Sequence, residues 1–377
     1  MDPHDFRKRF RGLDDLVHLA SCSQGAVSDL LVDALAEYQR TLVDKGADWE
    51  SWMDRVQQAR ELFAAQIGAD VDEIAVVPSA SEGAYQVAST QAWASRPGLV
   101  TTDMEFPSVA NVWLAQEPRG AKVTHVADHD WTIDAEDYVE QIGPDTGLVS
   151  IPLISYRNGL RLPVTDVVRA AHEVGARVFV DAYQGLGVEP VDVHTLDCDY
   201  LVSGSLKYLL GIPGIAFLYV REGLVDDLPP SLTGWFGRVD PFAFDPRSLD
   251  YPTHARRFET GTPAVPSAYA AVAGLQMLAQ VDMSDVAAHV GHLSGLLREE
   301  LVAQGETVRS PESPTLRGPQ IALQDSHPER LDGALREAGI AASPRGDVVR
   351  LSFHYYNDES DVIAATGAVR AYRAKNG

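Results

Sequence analysis

Residues 178–185 read VFVDAYQG, and residues 203–214 read SGSLKYLLGIPG. The first stretch is an apolar run that ends on a carboxylate, Asp181. The second sets one lysine, Lys207, among Leu206, Leu209 and Leu210. Short apolar runs of this kind, bounded by glycine, read as strands buried on both faces. The two stretches therefore place an acid and an amine at the carboxyl ends of neighbouring strands. In open α/β sheets that edge is where ligands bind.

The same grammar extends outward in both directions. Apolar positions recur at helical spacing over 26–45 (Val27, Leu30, Leu31, Leu35) and over 49–67 (Trp52, Val56, Leu62, Phe63). EIAVVPSASEGAYQVASTQAW, from Glu73, reads as a short strand, a polar turn and a helix from about Glu82. GLVTT, AKVTHVA, TGLVSIPLIS, ARVFVDA, CDYLVSGSLK and GIAFLYV follow as strands, and DVVRAAHEVGA as a helix closed by Gly175. Strands alternating with helices predict an α/β fold: a three-layer α/β/α large domain with a mostly parallel sheet, spanning residues 15–260. From about residue 262 the pattern changes. Long helices at 264–281 and 284–304 precede QIALQ, the helix LDGALREAG, the run VVRLSFHYYN and a last helix from Glu359. This predicts a smaller α+β C-terminal domain, 261–377 joined by residues 1–14, with Pro263 and Pro266 near the junction.

The 377 residues carry 31 Lys and Arg against 54 Asp and Glu, a formal net charge of −23. That field repels phosphate backbones and anionic lipid, so the expectation is no nucleic-acid and no membrane partner. Two cysteines, Cys22 and Cys198, offer no four-ligand metal pattern and at most one bridge. MDPHDFRKRFRGLDDL lacks the apolar segment of a secretory leader, and no run of 18 apolar residues occurs. A reducing cytoplasm is the expected compartment.

The order of these features resembles pyridoxal-phosphate (PLP) enzymes of fold type I. Within them it is similar to the class V aminotransferases, a group that includes cysteine desulfurases, kynureninases and isopenicillin epimerases. The likeness runs from HLASCSQG near the start to RLSFHYYNDESDV near the end, and rests on four motifs in order. It implies PLP as cofactor, held by Lys207 as a Schiff base. Burial suits a lysine that must be neutral for part of its cycle; a surface lysine at a strand end is the plain structural alternative. Asp181 would face the protonated pyridine nitrogen and make the ring an electron sink; an acid capping the next turn is the alternative. Gln184 matches the family position that hydrogen-bonds the cofactor's phenolic oxygen. Ser79, Ala80 and Ser81 stand where a strand meets a helix, and free N–H groups there can bind a phosphate. Ser81 matches the family hydroxyl, although the string alone reads as an ordinary N-cap. Ser205 resembles a kynureninase-like SxK arrangement and adds a hydroxyl. Gly261 and Thr262, in ETGTPAVPS, match the segment that reaches the partner subunit's phosphate, which implies a homodimer with shared active sites. Phe106, in MEFPS, stands where relatives place an aromatic or His over the pyridine face; a core Phe is the alternative. One position departs from the pattern. Leu206 replaces the His or Tyr that helps the phosphate in relatives, so binding leans on Ser81, Ser205 and Thr262.

On the substrate side, Arg350 in VVRLSFHYYN matches the arginine that clamps an α-carboxylate. A guanidinium fork suits that task, and a structural acid is the alternative partner. Cys22, in LASCSQG, lies in a segment resembling the family's N-terminal active-site stretch. Tyr156 and Asn158 sit at a strand end facing the crevice, either one a candidate for the phenolic oxygen or the substrate. Trp235, in TGWFGRVDPFAFDP, resembles a kynureninase-like aromatic near the substrate; packing at a dimer interface is the alternative. Cysteine desulfurases need a thiol just ahead of the arginine. GIAASPRGDVVR has none, and Cys198 reads as core. The expected activity is a lyase acting on an amino acid or amino-acid conjugate, by β-elimination of a C–S bond or kynureninase-like C–C cleavage, with Lys207 as base. Transamination is the second reading, and an inactive PLP-binding regulator the third.

Overall fold

A computed structural model describes residues 1–225 and 229–376. Helix α1 (Pro3–Arg7), strand β1 (Val17–His18), and helices α2 (Asp29–Lys45) and α3 (Trp49–Ile67) open the chain. Strand and helix then alternate: β2 (Ile74–Val77), α4 (Ala80–Ser89), β3 (Gly98–Thr102), α5 (Pro107–Leu114), β4 (Lys122–Val126) and α6 (Ala135–Val139). Next come β5 (Thr146–Pro152), α7 (Val164–Glu173), β6 (Arg177–Asp181), α8 (Val193–Leu196), β7 (Tyr200–Gly204) and β8 (Ala216–Val220). Helices α9 (Val265–Leu278) and α10 (Met283–Ala303) lead to β9 (Gln320–Gln324), α11 (Pro328–Glu337), β10 (Ile340–Ala341), β11 (Ser343–Arg345), β12 (Val348–Ser352) and α12 (Glu359–Asn376).

The central sheet runs β2-β8-β7-β6-β5-β3-β4. Strands β4, β3, β5, β6 and β7 pair in parallel, while β8 runs against both β7 and β2. The connection between β7 and β8 is too short for a crossover, so β8 returns antiparallel. Both faces are buried because side chains alternate along each strand. Val178 and Val180 of β6 join one core with Phe63 of α3 and Val167 of α7. Phe179 turns to the opposite core with Val87 of α4 and Trp113 of α5. Phe63 stacks on Phe217 at 4.3 Å, and Trp113 meets Phe179 edge-on at 5.1 Å. This is the expected α/β/α layering.

A smaller antiparallel sheet, β11-β12-β9, forms from the C-terminal residues. The beginning of the chain reaches it: Val17 and His18 pair with Ile340 and Ala341, and Ala20 bridges to Ser352. Helix α9 packs on α2 and α3. Helix α4 begins at Ala80, ahead of the expected Glu82, because Ser79 Oγ accepts the Glu82 N–H at 3.2 Å and caps the first turn.

Candidate active site

The carboxyl edge of the parallel strands collects one cleft. Phe106 follows β3, Tyr156 follows β5, Asp181 ends β6 with Gln184 just beyond, and Lys207 follows β7; all five line it. Phe106 and Tyr156 meet edge-on at 5.0 Å. Lys207 Nζ lies 4.1 Å from the Tyr183 ring centroid and 5.3 Å from that of Phe106.

The turn carrying Lys207 is caged by backbone. Gly25 N donates to Leu206 O at 2.9 Å. A Cβ on Gly25 would lie 2.3 Å from Lys207 O, one on Gly187 2.2 Å from Tyr208 O, and one on Gly274 2.1 Å from Leu209 O. Three successive carbonyls thus each face a glycine where no side chain fits. Ser205 Oγ donates to Ile212 O at 2.8 Å and Gly211 N to Ser205 O at 2.8 Å, so this serine closes the turn. His354 holds it from below. Its Nδ1 accepts the Tyr355 N–H, so Nε2–H donates to Tyr208 O at 2.9 Å.

Burial dominates the electrostatics. It pushes the Lys207 amine down to about 8, against the opposing charge of Asp181. Burial raises Asp181, while the Tyr183 N–H at 2.9 Å and Lys207 act against that rise. Arg350 is 1% exposed. Its Nη1 donates to Tyr156 O at 2.9 Å, its Nη2 to Ser343 Oγ at 2.7 Å and its Nε to Ser343 O at 3.3 Å. Every acceptor is neutral, and among the described residues no carboxylate pairs with it. A buried guanidinium without an anion is costly.

The remaining candidates fall in several places. Ser79, Ala80 and Ser81 form the N-terminus of α4, where the first N–H groups have no partner inside the helix. Thr260 Oγ1 donates to Glu82 Oε1 at 3.0 Å and ties the 259–262 segment to that end. Glu259 anchors the segment through a buried pair with Arg60 at 2.7 Å and the Val76 N–H at 3.0 Å. Gly261 and Thr262 are exposed and line a separate hollow with Phe236 and Arg256, outside the Lys207 cleft. Cys22 is buried; its N–H donates to Ser352 Oγ at 2.9 Å, and its carbonyl accepts from Gln184 Nε2 at 3.1 Å. Asn158 donates to Trp131 O and Arg309 O and accepts from Leu160 N, so its amide braces the loop that carries Tyr156. Trp235 packs edge-on against Trp49 of α3 at 5.6 Å and against its neighbour Phe236 at 4.5 Å. Leu206 contributes its backbone carbonyl to the turn. Two ionisable residues at the cleft were not among the sequence candidates: Tyr183, beside Lys207, and Glu105, just before Phe106.

These residues fit PLP on observations of the chain itself. An amine, a carboxylate and an aromatic ring line one cleft at the carboxyl edge of the strands. Gln184 Oε1 is buried with no hydrogen-bond partner, and Arg350 lacks an anion.

Residues 26–364 match the family model for Aminotransferase class-V. The chain is 35% identical over 369 residues to "Uncharacterized aminotransferase YcbU" of Bacillus subtilis (strain 168), covering 98% of each chain. It is 31% identical over 366 residues to "Probable cysteine desulfurase" of Streptomyces coelicolor, covering 90% of this chain and 87% of that one. The fold is similar to the apo structure of cysteine desulfurase from Thermococcus onnurineus NA1, with a TM-score of 0.89 at 22% identity over 99% of this chain and 98% of that one. The chain belongs to the class-V aminotransferase family and is accordingly a PLP-dependent enzyme. Among the described residues, no helix is long and apolar enough to cross a membrane.

Proposed function

We propose that this enzyme is a lyase that releases the β-substituent of an α-amino acid, with elimination across a C–S bond as its reaction. The observation that carries the reading is the β11–β12 hairpin. It delivers Arg350, buried and without an acidic partner, to the loop of Tyr156 that lines the Lys207 cleft. It brings no thiol with it, and the chain's two cysteines are both buried. Sulfur removed here therefore leaves as a small molecule instead of passing to a protein persulfide.

In this reading the chain's own residues divide the work. PLP, when bound, draws electrons from the bonds around the substrate's α-carbon. Asp181 faces the ring nitrogen as an anion, Phe106 covers the ring, and Gln184 borders its phenolic oxygen. The N-terminus of α4, at Ser79, Ala80 and Ser81, takes the phosphate, with Ser205 shaping the lysine turn beside it. Arg350 clamps the α-carboxylate by its fork. Lys207 Nζ, its pKa lowered by burial to about 8, takes the α-proton and delivers it to the departing sulfur as the C–S bond breaks. Cys22 and Tyr156 border the substrate, and Asn158 positions Tyr156. We read residues 15–260 as the PLP-binding domain, with 261–377 and 1–14 as the smaller one. The active form is a homodimer in which Gly261 and Thr262 reach the partner's phosphate and Trp235 the shared cleft. The apolar strip of Val239, Phe242, Phe244 and Leu249, 49–72% exposed, supports such a contact. Two free cysteines accord with a cytoplasmic setting.

Incubation of the purified enzyme with cysteine, cystine, S-substituted cysteines and kynurenine tests the reading. Release of pyruvate and ammonia without an added keto acid is the expected result. An absolute requirement for a keto-acid acceptor would establish transamination, the reading favoured by the name of the Bacillus subtilis relative. Spectral change with no product from any substrate would leave an inactive PLP-binding regulator.

A further inference from the structure

The cleft contains a second carboxyl group that the proposed chemistry does not use. Glu105 lies in the turn between β3 and α5 and is 3% exposed. Its Oε1 accepts the Phe106 N–H at 2.9 Å, and its Oε2 meets Ser150 Oγ of β5 at 2.9 Å. Both partners are neutral, and among the described residues no cation pairs with it. The groups facing it are Asp181 from β6 and Tyr138 from α6, whose hydroxyl donates to Ser150 O at 3.3 Å. Lys207 acts on Asp181. Asp103, two residues earlier, turns outward to His125 at 3.4 Å.

Two buried carboxyl groups share this cleft with one amine, and charging both is expensive. Asp181 has the amine and a backbone N–H to hold its charge. Glu105 has neither a cation partner nor solvent, so of the two acids it is the one whose charge the cleft opposes most. Burial first, and the Asp181 charge second, push Glu105 up to about 8.

We propose that Glu105 is a positioning residue carried as a neutral acid: it ties β5 to the Phe106 backbone, fixing the aromatic plate, and leaves Asp181 the single anion at the ring nitrogen. The role toward the ring rests on the PLP reading of the cleft; the protonation of Glu105 does not. When the proton leaves to solvent at alkaline pH, a second negative charge appears beside Asp181.

The test compares the enzyme as purified with Glu105→Gln. The amide preserves both bonds, with Oε1 accepting from Phe106 N and Nε2 donating to Ser150 Oγ, but it has no proton to lose. In infrared difference spectra the wild type should show the carbonyl band of a buried carboxylic acid that bleaches with a midpoint near 8. The Gln variant should lack it. Melting temperature gives a second readout. A folded-state pKa above the unfolded one means that the wild type loses stability as pH rises from the unfolded value, 4.5, to about 8. The gap in favour of the Gln variant should therefore widen over that range and level off above it. For the positioning role, Glu105→Ala should lower kcat by more than about tenfold, with Gln restoring most of it; if the Ala protein does not fold, the Gln comparison decides. An undiminished acid band in the Gln variant, or a melting gap independent of pH, overturns the proposal. Absence of lyase products with the band and the gap as expected would sink the lyase reading instead.

Discussion

At Lys207 two effects oppose each other. The Asp181 charge and the faces of Tyr183 and Phe106 favour the ammonium. Burial favours the free amine and prevails, bringing the group to about 8. At Arg350 the same accounting has no opposing anion among the described residues, and in the proposed function the substrate's carboxylate supplies it. Arg350→Lys keeps a positive charge but loses the planar fork. It should raise KM roughly 10- to 100-fold, the loss of one or two charged hydrogen bonds, with a smaller change in kcat. Steady-state kinetics check this, and an unchanged KM would remove Arg350 from the carboxylate site. Asp181, Lys207 and Arg350 were legible because each is a charged residue inside an apolar run. Glu105 was not: it is one of 54 acids and sits in a turn. Its burial arises only when that turn closes over β5.

Among the elements, the turn between β7 and β8 sets the geometry of the amine. Its carbonyls press against Gly25, Gly187 and Gly274, and the last of these belongs to the buried helix α9. Gly274→Ala would normally favour a helix. Here the added methyl meets Leu209 O and should destabilise the protein by about 1–3 kcal/mol, as overpacked sites do. Urea unfolding measures it, and a neutral or stabilising result would contradict the packing described. The strands themselves were legible as continuous apolar runs because both faces of the sheet are buried. The reversal of β8 was not, since the length of its connection decides it and its own residues do not. The pairing of β1 with β10 spans two residues, too few for any period to show. The aromatic packing of Trp235 was not legible, since its neighbours Trp49 and Phe244 are distant from each other in the chain and come together only by folding.

For the whole molecule, the N-terminal residues and the small sheet close on the lysine turn, and His354 sits at that junction. Burial pushes its imidazole down to about 4, and the bond to Tyr208 O only partly offsets this. The folded value lies below the unfolded one, 6.5. The stability from neutral His354 is therefore complete above the unfolded value and lost as pH falls toward the folded one, up to about 3 kcal/mol. Glu105 titrates in the opposite sense over part of that range. The effect is thus read as the difference between wild type and His354→Gln, which should shrink with acidity; a difference constant with pH would contradict it. The assignment of the whole cleft depends on Lys207 being the residue bonded to PLP. Borohydride reduction of the purified enzyme, followed by peptide mapping, tests it most directly. One pyridoxyl-phosphate adduct per chain is expected, on the peptide containing Lys207, and none in Lys207→Ala. An adduct on another lysine, or no adduct in a protein that retains PLP, would contradict it.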